Sequence, residues 1–255
     1  MQVRILGCSG GIGGGARTSA MLIDDDVLLD AGTGVGDLPL ESLRKIRHVL
    51  LTHAHLDHIA GLPFLIDSIF DARIGDPLVI YGRAETLETI QKHIFNWEIW
   101  PDFAQLPDVH QPVLRYETLG PGQAVNIDNR LFHAIDVRHT VPAQGYCISH
   151  ADGVFAVSGD TTTNATLWPL LNSLPDLKAL VVEVSFPDEQ AELAQAAGHY
   201  CPRTLAADLI KLEHEPDIWL TAMKPGEEDT ILRQVRDAIP SRDVRMLERG
   251  TALTI

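Results

Sequence analysis

The sequence predicts an α/β protein in which two sheets pack face to face between outer helices, an αββα sandwich. Three observations lead there. Short apolar, β-branched runs dominate the N-terminal part, and helix–strand alternation follows. The pattern falls into two similar halves, each ending strands at loops that carry histidine and aspartate. Finally, 255 residues at 45% apolar composition can fill one such core, so residues 1–255 are expected to form a single domain.

In order along the chain, strands are expected at 3–6, 20–23, 27–29, 49–51 and 78–80. Later ones are expected at 131–137, 145–149, 154–157, 179–183 and 218–221. Helical spacing of apolar residues places helices at 62–70, 84–95, 189–197, 202–212 and 227–238. The last of these opens with acids, which suits a helix N-terminus. Residues 96–112, rich in Pro, Asp and aromatics, read as an ordered loop or cover. Low-complexity tracts and short-period repeats are absent.

No run of 18 apolar residues occurs, so neither a membrane span nor a membrane partner is expected. The N-terminus lacks the apolar stretch of a signal peptide. Cys8, Cys147 and Cys201 are scattered and odd in number, which fits a reducing, cytoplasmic setting better than a disulfide framework. Cys201, although near His199, reads as a small buried thiol.

The formal net charge of −15 argues against an extended nucleic-acid partner, which a basic face normally meets. The densest basic stretches, 44–47 and 233–245, are short and interleaved with acids. A small anion needs only a local positive site, and bound divalent cations can supply it. A homodimer is compatible with this composition. The glycine tract Gly7–Gly15 leads into an apolar strand, not a helix, and no Lys-Ser/Thr follows it, so it is neither nucleotide-binding motif. It is expected to let a tight loop approach the functional site.

The chemistry concentrates in Thr52-His53-Ala54-His55-Leu56-Asp57-His58, directly after the apolar run Val49-Leu50-Leu51. Along an extended segment His53 and His55 share a face. The following loop is expected to turn Asp57 and His58 toward a neighbouring point. Imidazoles suit borderline divalent metals and carboxylates suit harder ones, so two adjacent pairs of mixed donors fit a two-metal site.

This His-x-His-x-Asp-His pattern after a strand resembles the metallo-β-lactamase superfamily. Asp30 at the end of Val27-Leu28-Leu29, His139 in Arg138-His139-Thr140, and Asp160 in Ser158-Gly159-Asp160-Thr161 are similar to its other landmarks, in the same order. The resemblance implies that His53, His55 and His139 hold one metal, that Asp57 and His58 hold a second, and that Asp160 bridges them. The ions would be two divalent metals, zinc first, with manganese or iron as alternatives.

Within the superfamily the chain resembles class II 3′,5′-cyclic-nucleotide phosphodiesterases. The likeness lies in His53–Leu62, in His93–Phe103 and in Thr221–Gly226. It implies hydrolysis of a cyclic nucleotide, cyclic AMP first, by a metal-activated hydroxide. Asp57 and His199 are the expected catalytic residues, His199 protonating the leaving oxygen with Glu183 orienting it. Thr161 and the aromatic residues Phe95, Trp97 and Trp100 are the expected substrate contacts, since aromatic faces stack bases. The remaining histidines, 48, 93, 110, 133, 150 and 214, read as surface or structural.

One position departs from the family pattern. Ala222 stands where a histidine would complete the second metal site, and alanine is expected to fit that strand end without strain. Two other readings use the same ligands: a hydrolase of another phosphodiester, such as a tRNA 3′ end, and a non-catalytic sensor that keeps one metal.

Overall fold

The computed structural model describes residues 1–255. The strands are β1 (Gln2–Gly7), β2 (Ala20–Ile23), β3 (Val27–Leu29), β4 (His48–Leu50), β5 (Leu78–Gly82), β6 (Leu114–Thr118), β7 (Ala124–Ile127), β8 (Arg130–Val137), β9 (Ala143–His150), β10 (Gly153–Val157), β11 (Leu177–Glu183), β12 (Asp217–Thr221), β13 (Val244–Met246) and β14 (Ala252–Thr254). They form two seven-stranded sheets, ordered β14-β1-β2-β3-β4-β5-β6 and β13-β12-β11-β10-β9-β8-β7. The helices are α1 (Leu40–Leu43), α2 (Leu56–Ile59), α3 (Leu62–Ser68), α4 (Phe70–Arg73), α5 (Ala84–His93), α6 (Leu167–Ser173), α7 (Ala191–Ala197), α8 (Pro202–Leu209) and α9 (Glu228–Ala238). None is long and apolar enough to cross a membrane.

Three apolar layers hold these elements together, as an αββα sandwich requires. The middle layer joins the sheets, with Ile5, Met21 and Leu29 of the first meeting Phe132, Tyr146, Phe155 and Val181 of the second. One outer layer packs Leu62, Leu65 and Ile66 of α3 and Leu87 and Ile90 of α5 on the first sheet. The other packs Leu205 and Leu209 of α8 and Ile231 and Val235 of α9 on the second. Side-chain alternation explains how one strand serves two layers. In β11, Ala179 and Val181 face the other sheet while Leu180 and Val182 face the helices. Each fully buried valine or leucine among them contributes about 1.5–3 kcal/mol.

Every expected strand is present, with ends shifted by at most two residues. The strands not anticipated, β6, β7, β13 and β14, are the four sheet edges. An edge strand is short and half solvated, so its sequence lacks the apolar run that marks a central strand. β6, for example, reads Leu-Arg-Tyr-Glu-Thr and buries only its leucine.

The expected helix at 62–70 divides at Ile69 into α3 and α4. The one expected at 84–95 stops at His93, because Phe95 turns into the core against Phe103. α8 begins at a capping box made by Cys201 and Thr204, with Pro202 in the first turn, so Cys201 serves as a buried cap.

Two local expectations are corrected. Asp57 and His58 lie not on a loop but on the single turn of α2. Ala222, just after β12, has φ of 61°, a left-handed conformation that costs alanine energy and that histidine, asparagine and aspartate adopt several-fold more often than other non-glycine residues. The glycine tract packs directly on this position. A Cβ on Gly10 would meet the Ala222 carbonyl oxygen at 2.3 Å, which only glycine avoids.

A polar clamp also joins the sheets. Arg130, at the start of β8 and 5% exposed, donates two hydrogen bonds of 2.7 Å to Asp26 and one of 3.0 Å to Asp24. Both acids sit in the turn between β2 and β3. Arg130 is buried, but Asp26 and Asp24 are 22% and 42% exposed, so water screens the acids left behind when it is removed. Arg130→Ala should therefore lower stability by about 2 kcal/mol, less than the loss for a fully buried pair. Urea unfolding measures this, and a change below about 1 kcal/mol would show the clamp to behave as a surface pair.

Candidate metal centre

The donor residues gather where strands of both sheets end. Beyond β4 the chain runs through Thr52, His53 and His55 into α2, which carries Asp57 and His58. His139 follows β8, Asp160 follows β10, and His199 lies between α7 and α8. The His53 ring is 4.6 Å from that of His55, 4.2 Å from His58 and 4.9 Å from His139, between centroids. His139 Nε2 is 3.1 Å from His55 Nδ1. His58 Nε2 is 3.4 Å from Asp160 Oδ2 and 3.8 Å from Asp57 Oδ2, and His53 Nε2 is 4.0 Å from Asp160 Oδ2.

The imidazoles of His53, His58 and His139 are each held from behind by the other ring nitrogen. His58 Nδ1 donates to Asp30 at 2.6 Å, and His139 Nδ1 donates to the Gly198 carbonyl at 2.9 Å. His53 Nδ1 donates to Thr52 Oγ1 at 3.0 Å, while that hydroxyl donates to Asp30 at 2.9 Å. Such partners set which ring nitrogen has its lone pair free. Asp30 and Gly198 are thus part of the site. Asp30 was legible as a motif residue but not as the support of His58. Gly198 ends α7 with φ of 71°, and a Cβ there would press on His139 Nδ1 at 3.1 Å.

Three donor groups bring their ligand atoms within 4.8 Å of one another: His53–His55–His139, His53–His58–Asp160 and His139–Asp160–His199. The residues fit divalent cations on independent grounds. His53 Nε2 is buried without a hydrogen-bond partner, which is costly unless something else accepts its lone pair. Burial depresses the pKa of His53 well below the ordinary value, and those of His55 and His139 less, so all three are neutral. Burial alone would raise Asp160, but His58, His53 and His199 hold it well below the carboxylate range. Neutral imidazole and ionised carboxylate are the forms a divalent metal requires. His58 differs. Burial opposes its charge, yet Asp160 and Asp30 raise its pKa well above normal, so a proton sits where a cation between His58 and Asp160 would replace it.

Asp57 stands at the margin of the cluster, its side chain 39% exposed. Ala222 offers no donor. Asp57 belongs to none of the three donor groups.

His199 joins the centre. Its Nδ1 donates to Glu183 Oε1 at 2.8 Å and lies 3.9 Å from Asp160 Oδ2. Glu183 is fully buried, and burial raises its pKa although His199 pulls it down. Burial opposes the His199 charge too, but Glu183 and Asp160 outweigh it and raise the pKa.

The expected substrate contacts divide. Thr161 is corrected: its side chain is fully buried, and its hydroxyl bonds the backbone of Arg138, so it braces the His139 loop instead of meeting substrate. Phe95 is corrected as well, because its ring is buried in the core layer beneath α3 and α5. Trp97 is exposed, and half-buried Trp100 lies edge-on to Phe64 at 5.2 Å. Two clefts open beside the donors. One of ≈ 520 Å³ is lined by His139, His199, Arg138 and Arg203, and one of ≈ 860 Å³ by His139, Arg138, Arg83 and Lys211. Sequence reasoning missed these cations, because they come from three separate segments, around Arg83, around Arg138 and along α8 and its end.

A sequence profile described as Beta-lactamase superfamily domain matches residues 26–215, and the chain belongs to that family. Fold and donor set together define a metal-dependent hydrolase. The chain is 28% identical over 254 residues to a probable 3′,5′-cyclic-nucleotide phosphodiesterase of Yersinia pestis, covering 83% of this chain and 72% of that protein. It is 40% identical over 196 residues to 3′,5′-cyclic-nucleotide phosphodiesterase 1 of Saccharomyces cerevisiae, covering 68% of this chain and 52% of that one. A ribonuclease Z of Pyrococcus abyssi is 32% identical over 130 residues, covering 49% and 39%. The metallo-β-lactamase fold protein YhfI of Bacillus subtilis superimposes with a TM-score of 0.79 at 20% identity, covering 99% of this chain and 98% of that one.

Two outcomes test the donor assignment. After dialysis, elemental analysis should find nearer one than two metals per chain, since one first-sphere donor is lacking at position 222. Asp160→Ala should abolish metal binding altogether, whereas His139→Ala should leave a residual site. Full metal content in Asp160→Ala would remove Asp160 from the centre.

Proposed function

We propose that this protein hydrolyses a 3′,5′-cyclic nucleotide, cyclic AMP first, to the nucleoside 5′-monophosphate. It is a metal-dependent phosphodiesterase hydrolase, and the proposal concerns the substrate, the two-metal site and zinc as the native metal. The observation that carries it is the His199–Glu183 pair set 3.9 Å from Asp160, at the mouth of an arginine-lined cleft.

His53, His55, His139 and Asp160 would hold one ion, and Asp57, His58 and Asp160 the other. When bound, the cations supply charge neutralisation at the phosphate and lower the pKa of the attacking water. The chain's own groups do the rest. Glu183 holds the Nδ1 proton of His199 and favours its charged form, which leaves an Nε2 proton to give to O3′ as the P–O3′ bond breaks. Arg138, shared by both clefts, gives the anion a positive approach in an otherwise acidic chain. Clefts of ≈ 520 and ≈ 860 Å³ suit a mononucleotide. The three free cysteines support a reducing, cytoplasmic setting.

The ribonuclease Z relative supports a second reading, hydrolysis at a tRNA 3′ end. The net charge of −15 weighs against it, because a tRNA must be gripped along its backbone. Steady-state assays with cyclic AMP and with 3′-extended precursor tRNA, at matched metal concentration, decide between them. Cyclic AMP should be turned over and the precursor left intact. The opposite result would overturn the proposal.

Position 222 sets the rate. Ala222→His should raise turnover of cyclic AMP at least ~100-fold, about 2.7 kcal/mol in the barrier, because charge neutralisation acts mainly in the transition state. Binding of cyclic AMP by calorimetry should change far less. Equal rates would mean that the second metal does not depend on this position.

A further inference from the structure

We propose that Lys224 is a substrate-anion ligand, a fixed cation beside position 222 that binds a phosphate oxygen where this chain lacks a metal-binding imidazole. The inference rests on the phosphodiesterase reading and deepens it.

The placement is specific. Lys224 Nζ donates to the Gly10 carbonyl at 3.0 Å and stands 5.5 Å from the centre of the Phe186 ring. The same ring lies 5.7 Å from that of His199, between centroids. The Lys224 amide donates to the Ser185 carbonyl at 3.1 Å, and Ser185 Oγ lies 3.2 Å from His199 Nδ1. Gly10 in turn packs on the Ala222 carbonyl. Lys224, Ala222, Gly10 and His199 therefore form one junction.

The chemistry points to an anion. Nζ has three protons and spends one on Gly10. No carboxylate lies within 4.0 Å of it, in a chain with 35 acidic residues against 20 basic ones. A half-buried ammonium held against an aromatic face keeps its position without being neutralised. An alternative role is mechanical, a strap holding the glycine loop to β12.

Lys224→Gln separates the two, because glutamine keeps a donor for Gly10 and removes the charge. Inorganic phosphate is the probe, read by calorimetry on metal-loaded protein whose metal content is checked in parallel. Lys224→Gln should weaken phosphate binding about 10-fold or more, the loss expected for a charge-assisted hydrogen bond, at unchanged metal content. Lys224→Arg should retain most of the affinity. Unchanged phosphate affinity in Lys224→Gln would overturn the proposal in favour of the strap. A second measurement needs no variant: phosphate should shield Lys224 from amine acylation in the unaltered chain, read by peptide mass spectrometry. Unshielded acylation at saturating phosphate would equally overturn it. Neither readout uses cyclic AMP, so failure of the cyclic-nucleotide assignment would be seen separately.

Discussion

Burial of carboxylates is the constraint on which this structure turns. Asp30, Asp160 and Glu183 are at most 5% exposed, and an isolated buried charge would be prohibitively costly. Each is answered by an imidazole: Asp30 by His58, Asp160 by His58 and His53, and Glu183 by His199. The histidines of the cluster are thus also what makes the carboxylates tolerable inside the fold. The excess of negative charge and the unpartnered His53 Nε2 leave a place that a divalent cation completes.

The site exists only because the two sheets are held in one relative position. The inter-sheet apolar layer does most of this, and hydrogen-bonded seams refine it. On one seam Ser9 bridges to Met223, and the Ala222 amide and Thr221 hydroxyl both donate to the Cys8 carbonyl. This brings the glycine tract against the end of β12. It explains why glycine is required at Gly10 and why residue 222 is forced into a left-handed conformation. A backbone shape that suits histidine persists here around an alanine.

The chain as a whole is acidic and so is the donor cluster, yet Arg83, Arg138, Arg203 and Lys211 line the clefts beside His139. Three of these cations are paired with acids, Arg83 with Asp136, which lines the same cleft, Arg203 with Asp188 and Lys211 with Asp208. A small anion can be met by such local cations whatever the net charge of the chain.

The sequence by itself determined the class of fold, the central strands and most of the donor residues that the fold brings together. These signals are local: a buried strand needs a continuous apolar run, and the densest part of the centre lies within His53–His58. Tertiary structure decided what depends on residues far apart in the chain. The edge strands were invisible because solvated edges carry no apolar pattern. The buried places of Phe95 and Thr161 followed from packing against residues their own segments do not contain. The support of His139 by Gly198, the assembly of the cationic clefts, and the junction of Lys224 with Gly10 join segments 59 to 214 residues apart, and only the closed fold brings them into contact.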